Sequence, residues 1–351
     1  MILTKQHSIR NSMVSTKPRV LLTNDDGPPG PESPYIYGLY RHLTTALGWD
    51  VKVVVPSSQK SWIGKAYHIT EIVQGRYYYP RDPDGKGETS HTSRPLKDGE
   101  TAEWILLDGT PATCANVALH NLYHGTIDLL ISGPNLGRNT SAAFALSSGT
   151  VGAALSSSLS QIRSIAVSYG TVVHPTPSTF REPAHRLAAG IVNHLWSNWG
   201  KDEAGLRNGE VDLYNLNIPM IEQLLTDEGL TIVWTTMWRN SYGRLFKVIL
   251  PPKADAKPSV SPAGPDSATA EPVNEMQRGI EVHSEDVSPL VFKFAPDMRG
   301  LVNPLSTSVP VGSDGWAMLK GYVSITPLRA SFAEPLLPPE GDGERTWKIK
   351  L

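Results

Sequence analysis

The chain has 351 residues, 40% of them hydrophobic, with 32 basic and 34 acidic side chains and a formal net charge of −2. This length is sufficient for a sizeable core in one large domain or two. The balanced charge excludes the strongly basic composition typical of proteins that bind nucleic-acid duplexes or anionic membranes. Cys114 is the only cysteine, so no internal disulfide can form, and we expect a cytoplasmic location.

Polar and low-complexity stretches are predicted to lie outside the folded core. Residues 1–18 are polar and mixed in charge, which predicts a disordered lead without the apolar segment of a secretory signal. Residues 253–279 are rich in Pro, Ala and Ser and cannot bury enough apolar surface to fold, which predicts a disordered insertion. Residues 336–351 are interpreted as a tail. No apolar run approaches the ~18 residues of a membrane span, so we expect no membrane partner.

Short apolar runs alternate with helical patterns in the first third of the chain. The predicted strands are Arg19–Thr23 and residues 51–55, 105–107 and 128–132. Predicted helices cover residues 33–47 and the segment from Thr110 and Pro111 to Gly125. Repeated strand, helix, strand units form parallel sheets through crossover helices. The pattern therefore predicts an α/β fold with a doubly wound, Rossmann-like parallel sheet.

Later segments add further elements to this core. Residues 74–103 are rich in turn-forming residues and predict an extended loop or hairpin. Residues 179–199 show a helical pattern with one apolar face. Residues 231–250 alternate apolar and polar side chains around a polar turn, which predicts a hairpin arm.

Two adjacent carboxylates follow the first strand, in the sequence Asn24-Asp25-Asp26-Gly27. Neighbouring like charges at a strand end repel each other unless a cation lies between them. Oxygen ligands favour a divalent cation such as Mg²⁺. An ordinary acidic turn is the alternative, because Asn, Asp and Gly are common turn residues.

Two further loops and one helix start are expected at the same sheet edge. The loop at 56–64 offers hydroxyls, including Ser61, and the loop at 133–139 offers the amides of Asn135 and Asn139. Residues 147–150 open a helical segment of small residues, where free N–H groups and the helix dipole favour a phosphate. Each feature alone is also typical of a solvated loop or an ordinary N-cap.

Together these motifs resemble the survival protein E (SurE) family, whose members are metal-dependent phosphatases and nucleotidases. The resemblance extends in order from Arg19 to Leu328. The motifs that carry it are Asn24-Asp25-Asp26-Gly27, Val53-Val54-Val55-Pro56 with Ser61, Ser132-Gly133-Pro134-Asn135-Leu136-Gly137-Arg138-Asn139, Ser148-Gly149-Thr150-Val151-Gly152-Ala153-Ala154, Asn215-Leu216-Asn217-Ile218-Pro219, and Ser313-Asp314 with Gly321-Tyr322-Val323-Ser324-Ile325-Thr326-Pro327-Leu328.

The resemblance assigns roles to particular residues. Metal ligands are expected at Asp25, Asp26, Ser61 and Asn135. Substrate-binding residues are expected at Asn24, Asn139, Ser148, Gly149 and Thr150. Asp25, Asp26 and Asn139 are expected to be catalytic.

Three positions depart from the family pattern. Pro134 replaces a common isoleucine, Ser147 after Leu146 replaces a tyrosine, and Thr113 replaces an acidic residue. The four expected metal ligands are intact. We therefore expect the chemistry to be kept, whereas the resemblance implies the substrate preference less firmly.

The resemblance implies hydrolysis of a phosphate monoester, such as a nucleoside 5'- or 3'-monophosphate, by water activated on Mg²⁺ or Mn²⁺. Such an enzyme would be of the 5'-nucleotidase or acid phosphatase type. It implies a domain at 19–335, with a core at 19–220 and an arm and C-terminal extension at 221–335 that build a homodimer or homotetramer. The alternative is a catalytically weak nucleotide-binding regulatory or scaffold protein on the same fold. A haloacid-dehalogenase-type phosphatase would need an Asp-x-Asp pair instead of Asp25-Asp26.

Overall fold

The computed structural model describes residues 17–171, 175–249, 290–296, 298–302 and 304–334. Most of the predicted lead, the predicted insertion at 253–279 and the predicted tail at 336–351 lie outside these residues.

The described residues form twelve strands. In chain order they are β1 (Arg19–Thr23), β2 (Asp50–Pro56), β3 (Gly75–Pro80), β4 (Gly87–Ser90), β5 (Trp104–Leu107), β6 (Leu129–Leu136), β7 (Arg163–Thr171), β8 (Leu213–Met220), β9 (Ile232–Trp234), β10 (Phe246–Val248), β11 (Phe292–Phe294) and β12 (Val323–Leu328).

The helices connect these strands. They are α1 (Ile36–Arg41, continued by a π-helical turn at His42–Ala46), α2 (Pro111–Val117, continued likewise at Ala118–Leu122), α3 (Ser141–Ser147), α4 (Gly149–Leu159), α5 (Arg181–Ser197), α6 (Arg299–Val302) and α7 (Asp314–Leu319). No single helix in the described ranges has the length and apolar composition of a membrane span, and only α3 and α4 taken together, bent by 70°, meet that test.

Ten strands form one sheet in the order β4-β3-β5-β2-β1-β6-β7-β8-β12-β9. The six strands from β5 to β8 in this order are parallel, and β12 and β3 add antiparallel neighbours on the two sides. The chain moves outward from β1 to β2 and β5 and then returns to β6 on the other side of β1. This reversal confirms the doubly wound fold and places a ligand crevice beyond the carboxyl ends of β1 and β6.

Alternate residues of β1 point into two separate apolar cores. Val20 and Leu22 pack with α1 and α5 on one face of the sheet, whereas Leu21 packs with α2 and α4 on the other. All three side chains are completely buried. Burial on both faces explains why the central strands are continuous apolar runs.

The prediction of a hairpin at residues 231–250 is wrong. β9 instead joins the main sheet parallel to β12, and β10 pairs antiparallel with β11 in a separate two-stranded sheet. The two halves of the predicted hairpin thus pair with strands much later in the chain, which no local pattern could reveal. The hairpin predicted within residues 74–103 is confirmed, since β3 and β4 pair antiparallel.

Candidate active site

A cleft that is partly open to solvent lies beyond the carboxyl ends of β1 and β6. Its walls come from the loops that follow β1, β2 and β6 and from the junction of α3 and α4. The residues that line it are Asp25, Ser61, Trp62, Asn135, Leu136, Arg138, Asn139, Phe144, Ser147 and Ser148.

The turn after β1 is held by the side chain of Asn24. Its Nδ2 donates to the Gly27 carbonyl oxygen at 2.9 Å, and its Oδ1 accepts from the Gly27 N–H at 3.0 Å. Gly27 has a φ of +85°, which favours glycine. Asn24 does not line the cleft; its amide shapes the turn that presents Asp25 and Asp26.

Both carboxylates are buried, with 2% exposure for Asp25 and 3% for Asp26. Asp25 accepts a short hydrogen bond from the Thr150 hydroxyl, and Asp26 Oδ2 accepts from the Leu136 N–H at 2.8 Å. Burial raises the pKa of Asp25 to about 6, although the Thr150 hydrogen bond acts in the opposite direction. Within the described residues Asp25 has no ion-pair partner. A buried carboxylate of this kind is stabilised in its charged form by a cation.

The loop after β2 is fastened directly beside Asp25. The Lys60 N–H donates to the Asp25 carbonyl oxygen at 2.7 Å, which brings the next residue, Ser61, into the cleft. Asn135 enters the cleft from β6, where the pairing with β7 shifts register between Ser132 and Asn135. Its Nδ2 donates to the Gly137 carbonyl oxygen at 2.9 Å, so the amide is held in one orientation.

These residues fit a hard divalent cation. Asp25 and Asp26 supply carboxylate oxygens, Ser61 a hydroxyl and Asn135 an amide oxygen, which are the ligand types that Mg²⁺ and Mn²⁺ prefer. No group of three or more His, Cys, Asp or Glu side chains that could hold a metal exists among the residues that the structure describes. The candidate centre therefore depends on two carboxylates assisted by neutral oxygens.

Helix α4 begins at the opposite wall of the cleft. Ser148 is its N-cap and accepts from the Val151 N–H at 3.2 Å. A Cβ at Gly149 would lie 2.7 Å from the Asp25 Cβ. Glycine at this position therefore lets the helix N-terminus approach Asp25 closely, and the N–H groups of Gly149 and Thr150 hydrogen-bond to that carboxylate.

Asn139 is held by polar side chains of β7 and β8. Its N–H donates to Asn217 Oδ1 at 2.7 Å, its carbonyl oxygen accepts from Asn215 Nδ2 at 2.8 Å, and its Nδ2 donates to Ser168 Oγ at 2.9 Å. Asn139, Asn215 and Asn217 are at most 5% exposed. Strand β8 thus fixes the loop that carries Asn139.

The structure brings five of the predicted site residues to the cleft surface: Asp25, Ser61, Asn135, Asn139 and Ser148. Asp26, Gly149 and Thr150 lie directly behind this surface, in the contacts described above. Sequence reasoning gave no role to Trp62, Arg138 and Phe144, which line the same cleft. Trp62 follows Ser61 and Arg138 precedes Asn139, so adjacency in sequence was the available signal for these two residues, and Phe144 had no such signal.

Several known proteins are similar to this chain. The family model described as Survival protein SurE matches residues 20–244. A Saccharomyces cerevisiae protein named probable tubulin–tyrosine ligase PBY1 is 36% identical over 340 residues, and the match covers 90% of this chain but 41% of that protein. The 5'-nucleotidase SurE of Caulobacter sp. is 29% identical over 213 residues, covering 60% of this chain and 66% of that protein.

Two further relatives match most of the chain. The 5'-nucleotidase SurE of Cereibacter sphaeroides is 29% identical over 314 residues, which cover 89% of this chain and 94% of that protein. The crystal structure of the SurE protein from Aquifex aeolicus superimposes with a TM-score of 0.55 at 22% identity and covers 90% of this chain and 94% of that chain. Since the family model spans well over half of the sequence, the chain belongs to the survival protein SurE family.

Proposed function

We propose that this chain is a metal-dependent phosphomonoesterase that hydrolyses nucleoside 5'- or 3'-monophosphates. One observation carries the proposal: the oxygen side chains of Asp25, Ser61 and Asn135 share a cleft with Asn139 and the N-terminus of α4. A cation site next to an anion site suits a phosphate ester, because both neutralise charge on the transferring group. The relatives named 5'-nucleotidase support the nucleotide as the substrate.

Asp25, Asp26, Ser61 and Asn135 would hold the cation, which we propose to be Mg²⁺ or Mn²⁺. When bound, such an ion supplies a Lewis acid that acidifies a water molecule for attack on phosphorus. Both carboxylates serve as ligands in this arrangement, so neither is available as the nucleophile of a phospho-aspartyl enzyme. Thr150 and the Leu136 N–H orient the two carboxylates through their hydrogen bonds.

Asn139 and Ser148 would bind the phosphate oxygens. The Ser148 hydroxyl and the remaining N–H of the Asn139 amide are donors for the equatorial oxygens, whereas the N–H groups of Gly149 and Thr150 face Asp25. Because Asn215, Asn217 and Ser168 already hold Asn139, these donors need little rearrangement when charge develops in the transition state.

We also propose that the chain forms at least a homodimer in the cytoplasm. Strands β10 and β11 expose large apolar side chains, with Phe246 at 53%, Val248 at 57% and Phe292 at 55%. An exposed apolar strand pair of this kind favours burial against another chain. The single cysteine, Cys114, is buried and free, which suits a reducing compartment.

Replacement of Asn139 by alanine tests the phosphate half of the proposal. Losing one preorganised donor should lower kcat for adenosine 5'-monophosphate by about 10²- to 10³-fold. Asn121→Ala, at an exposed amide on the turn after α2, is the matched control and should keep the wild-type rate. Vanadate should inhibit the wild-type chain competitively, since it has the charge and shape of the phosphoryl group.

A nucleotide-binding protein without catalysis would show no turnover even in the wild-type chain. The Asn139 substitution would then change only ligand affinity. Undiminished kcat in Asn139→Ala, together with no inhibition by vanadate, would place the phosphate site elsewhere.

A further inference from the structure

The active-site cleft is lined by both polar and aromatic side chains. Asp25, Asn135 and Ser148 are among the polar ones. Trp62 and Phe144 line the same cleft with aromatic rings. A phosphate ester that places its phosphate among the polar residues therefore has an aromatic surface within reach of its alcohol group.

Trp62 is the centre of an aromatic cluster beside the cleft. Its ring meets the rings of Phe144, Tyr242 and Phe294 edge to face, with centroid distances of 6.0, 6.2 and 5.3 Å and interplanar angles of 66°, 69° and 61°. Trp62 remains partly accessible, and Tyr242 is 47% exposed. Phe144 and Trp62 belong to a small apolar cluster that is separate from the two cores of the sheet. Because the sheet is packed by its own two cores, this cluster serves as an aromatic surface at the cleft.

The backbone at Trp62 is held in a conformation that tryptophan rarely adopts. Its φ is 62°, in the left-handed region that favours glycine. A non-glycine residue there costs about 1–2 kcal/mol. The loop is fixed two residues later, where the Gly64 N–H donates to the Ser147 carbonyl oxygen at 2.9 Å. Glycine would relieve the strain at this position, so the presence of a large ring indicates a use for the ring itself.

We propose that Trp62 is a specificity-determining residue that stacks on a planar group carried by the leaving alcohol. This inference rests on the proposed phosphatase function and assigns to Trp62 the recognition of the nucleobase, or of a similar flat ring, in its substrates. Stacking depends on a π face that every base has, so the aromatic wall formed by Trp62 and Phe144 selects for the presence of a base and only weakly for its identity.

The test compares an ester with a base and an ester without one. kcat/KM is measured for adenosine 5'-monophosphate and for ribose 5-phosphate with the same metal. The wild-type chain should prefer the nucleotide by about 10-fold or more, the range of base stacking on an aromatic ring. Trp62→Leu should lower this ratio by about 10-fold through KM for the nucleotide, and Trp62→Phe should retain most of it.

Trp196→Leu is the matched control. Trp196 is partly buried on α5 at the amino end of the strands, where the Arg163 guanidinium lies 5.0 Å from its ring centroid. This variant should keep the wild-type ratio. Cytidine 5'-monophosphate should match the adenosine ester within a few-fold in the wild-type chain, since stacking tolerates any base.

Three results would overturn the inference. The first is a wild-type chain whose kcat/KM is nearly equal for the two esters. The second is a folded Trp62→Leu chain in which kcat/KM falls equally for both esters, because this indicates a structural role. The third applies if Trp62→Leu does not fold, as judged by circular dichroism. In that case, loss of the preference for the nucleotide in Trp62→Phe decides against stacking.

Failure of the proposed function is a different outcome, because then neither ester is hydrolysed. In that case calorimetry with adenosine and with ribose tests the aromatic wall directly. Selective binding of adenosine that weakens in Trp62→Leu and persists in Trp62→Phe and Trp196→Leu supports the inference. Equal or absent binding of the two compounds overturns it.

Discussion

Replacement of Gly152 by alanine tests how tightly α4 packs against the loop that carries Ser61. A Cβ at Gly152 would lie 2.3 Å from the Gly64 carbonyl oxygen, where ordinary contact begins at 3.4 Å. The obstacle is backbone and cannot rotate away as a side chain can. The loop at 61–64 would therefore have to move by about 1 Å, the difference between these two distances.

Two opposing effects determine the stability of this variant. Alanine in a helix interior is about 1 kcal/mol more favourable than glycine. Forcing an additional carbon into a packed site costs about 1–3 kcal/mol. We expect a net loss of about 1 kcal/mol, which lowers Tm by about 2–4 °C. The displaced loop should also reduce kcat by about 10²-fold, since catalysis is sensitive to shifts of about 1 Å.

Gly190→Ala is the matched control on α5. A Cβ at Gly190 would meet nothing within 4 Å, so only the gain in helix propensity remains. This variant should raise Tm slightly and keep the wild-type activity. Thermal denaturation and phosphate release are measured for both variants. If Gly152→Ala also raised Tm and kept full activity, the close packing of α4 on the loop would be refuted.

Three further predictions concern buried carboxylates. In EDTA, the Tm of Asp25→Asn should be no lower than that of the wild-type chain, because the substitution removes a buried charge. Added Mg²⁺ should not raise the Tm of this variant. A lower Tm for the variant in EDTA would contradict this prediction. Hydrogen bonding to Arg94 lowers the Glu100 pKa from 4.5 to about 2, so Glu100 stabilises the fold above its unfolded pKa and this contribution is lost between about pH 4.5 and pH 2. The Tm difference between the wild-type chain and Glu100→Gln should therefore shrink as the pH falls through this window, and a constant difference would refute the assignment. Asp314→Ala should lower the free energy of unfolding, measured with denaturant, by about 3 kcal/mol or more. The reason is that the Asp314 carboxylate accepts hydrogen bonds from the N–H groups of Ser141 and Trp238, at 2.7 and 2.9 Å. A loss under 1 kcal/mol would show that water replaces these bonds.

The sequence predicted the parts of the fold whose cause is local. The runs at β1, β2 and β6 are apolar because both faces of the parallel sheet are buried, and glycines follow the ends of β1 and β6. The N-cap at Ser148 and the turn at Asn24 likewise depend on nearby residues. These features also placed the expected metal ligands at one edge of the sheet.

Contacts between distant segments could not be predicted in the same way. Nothing near Phe246 in the chain indicates that β10 pairs with β11, because the partner lies at Phe292–Phe294. The motif with Asn215 and Asn217 was recognised, but its hydrogen bonds to Asn139 depend on how β8 lies beside β7. The cluster around Trp62 likewise gathers rings from three separate segments.

Metal dependence of phosphate release tests the proposed chemistry most directly. The wild-type chain is treated with EDTA, freed of the chelator and assayed with adenosine 5'-monophosphate before and after addition of Mg²⁺ or Mn²⁺, beside the Asp25→Asn variant. We predict that the EDTA-treated chain is inactive, that either ion restores phosphate release, and that Asp25→Asn remains inactive with both ions. Equal phosphate release with and without metal, or full activity of Asp25→Asn, would contradict a metal centre at Asp25 and Asp26.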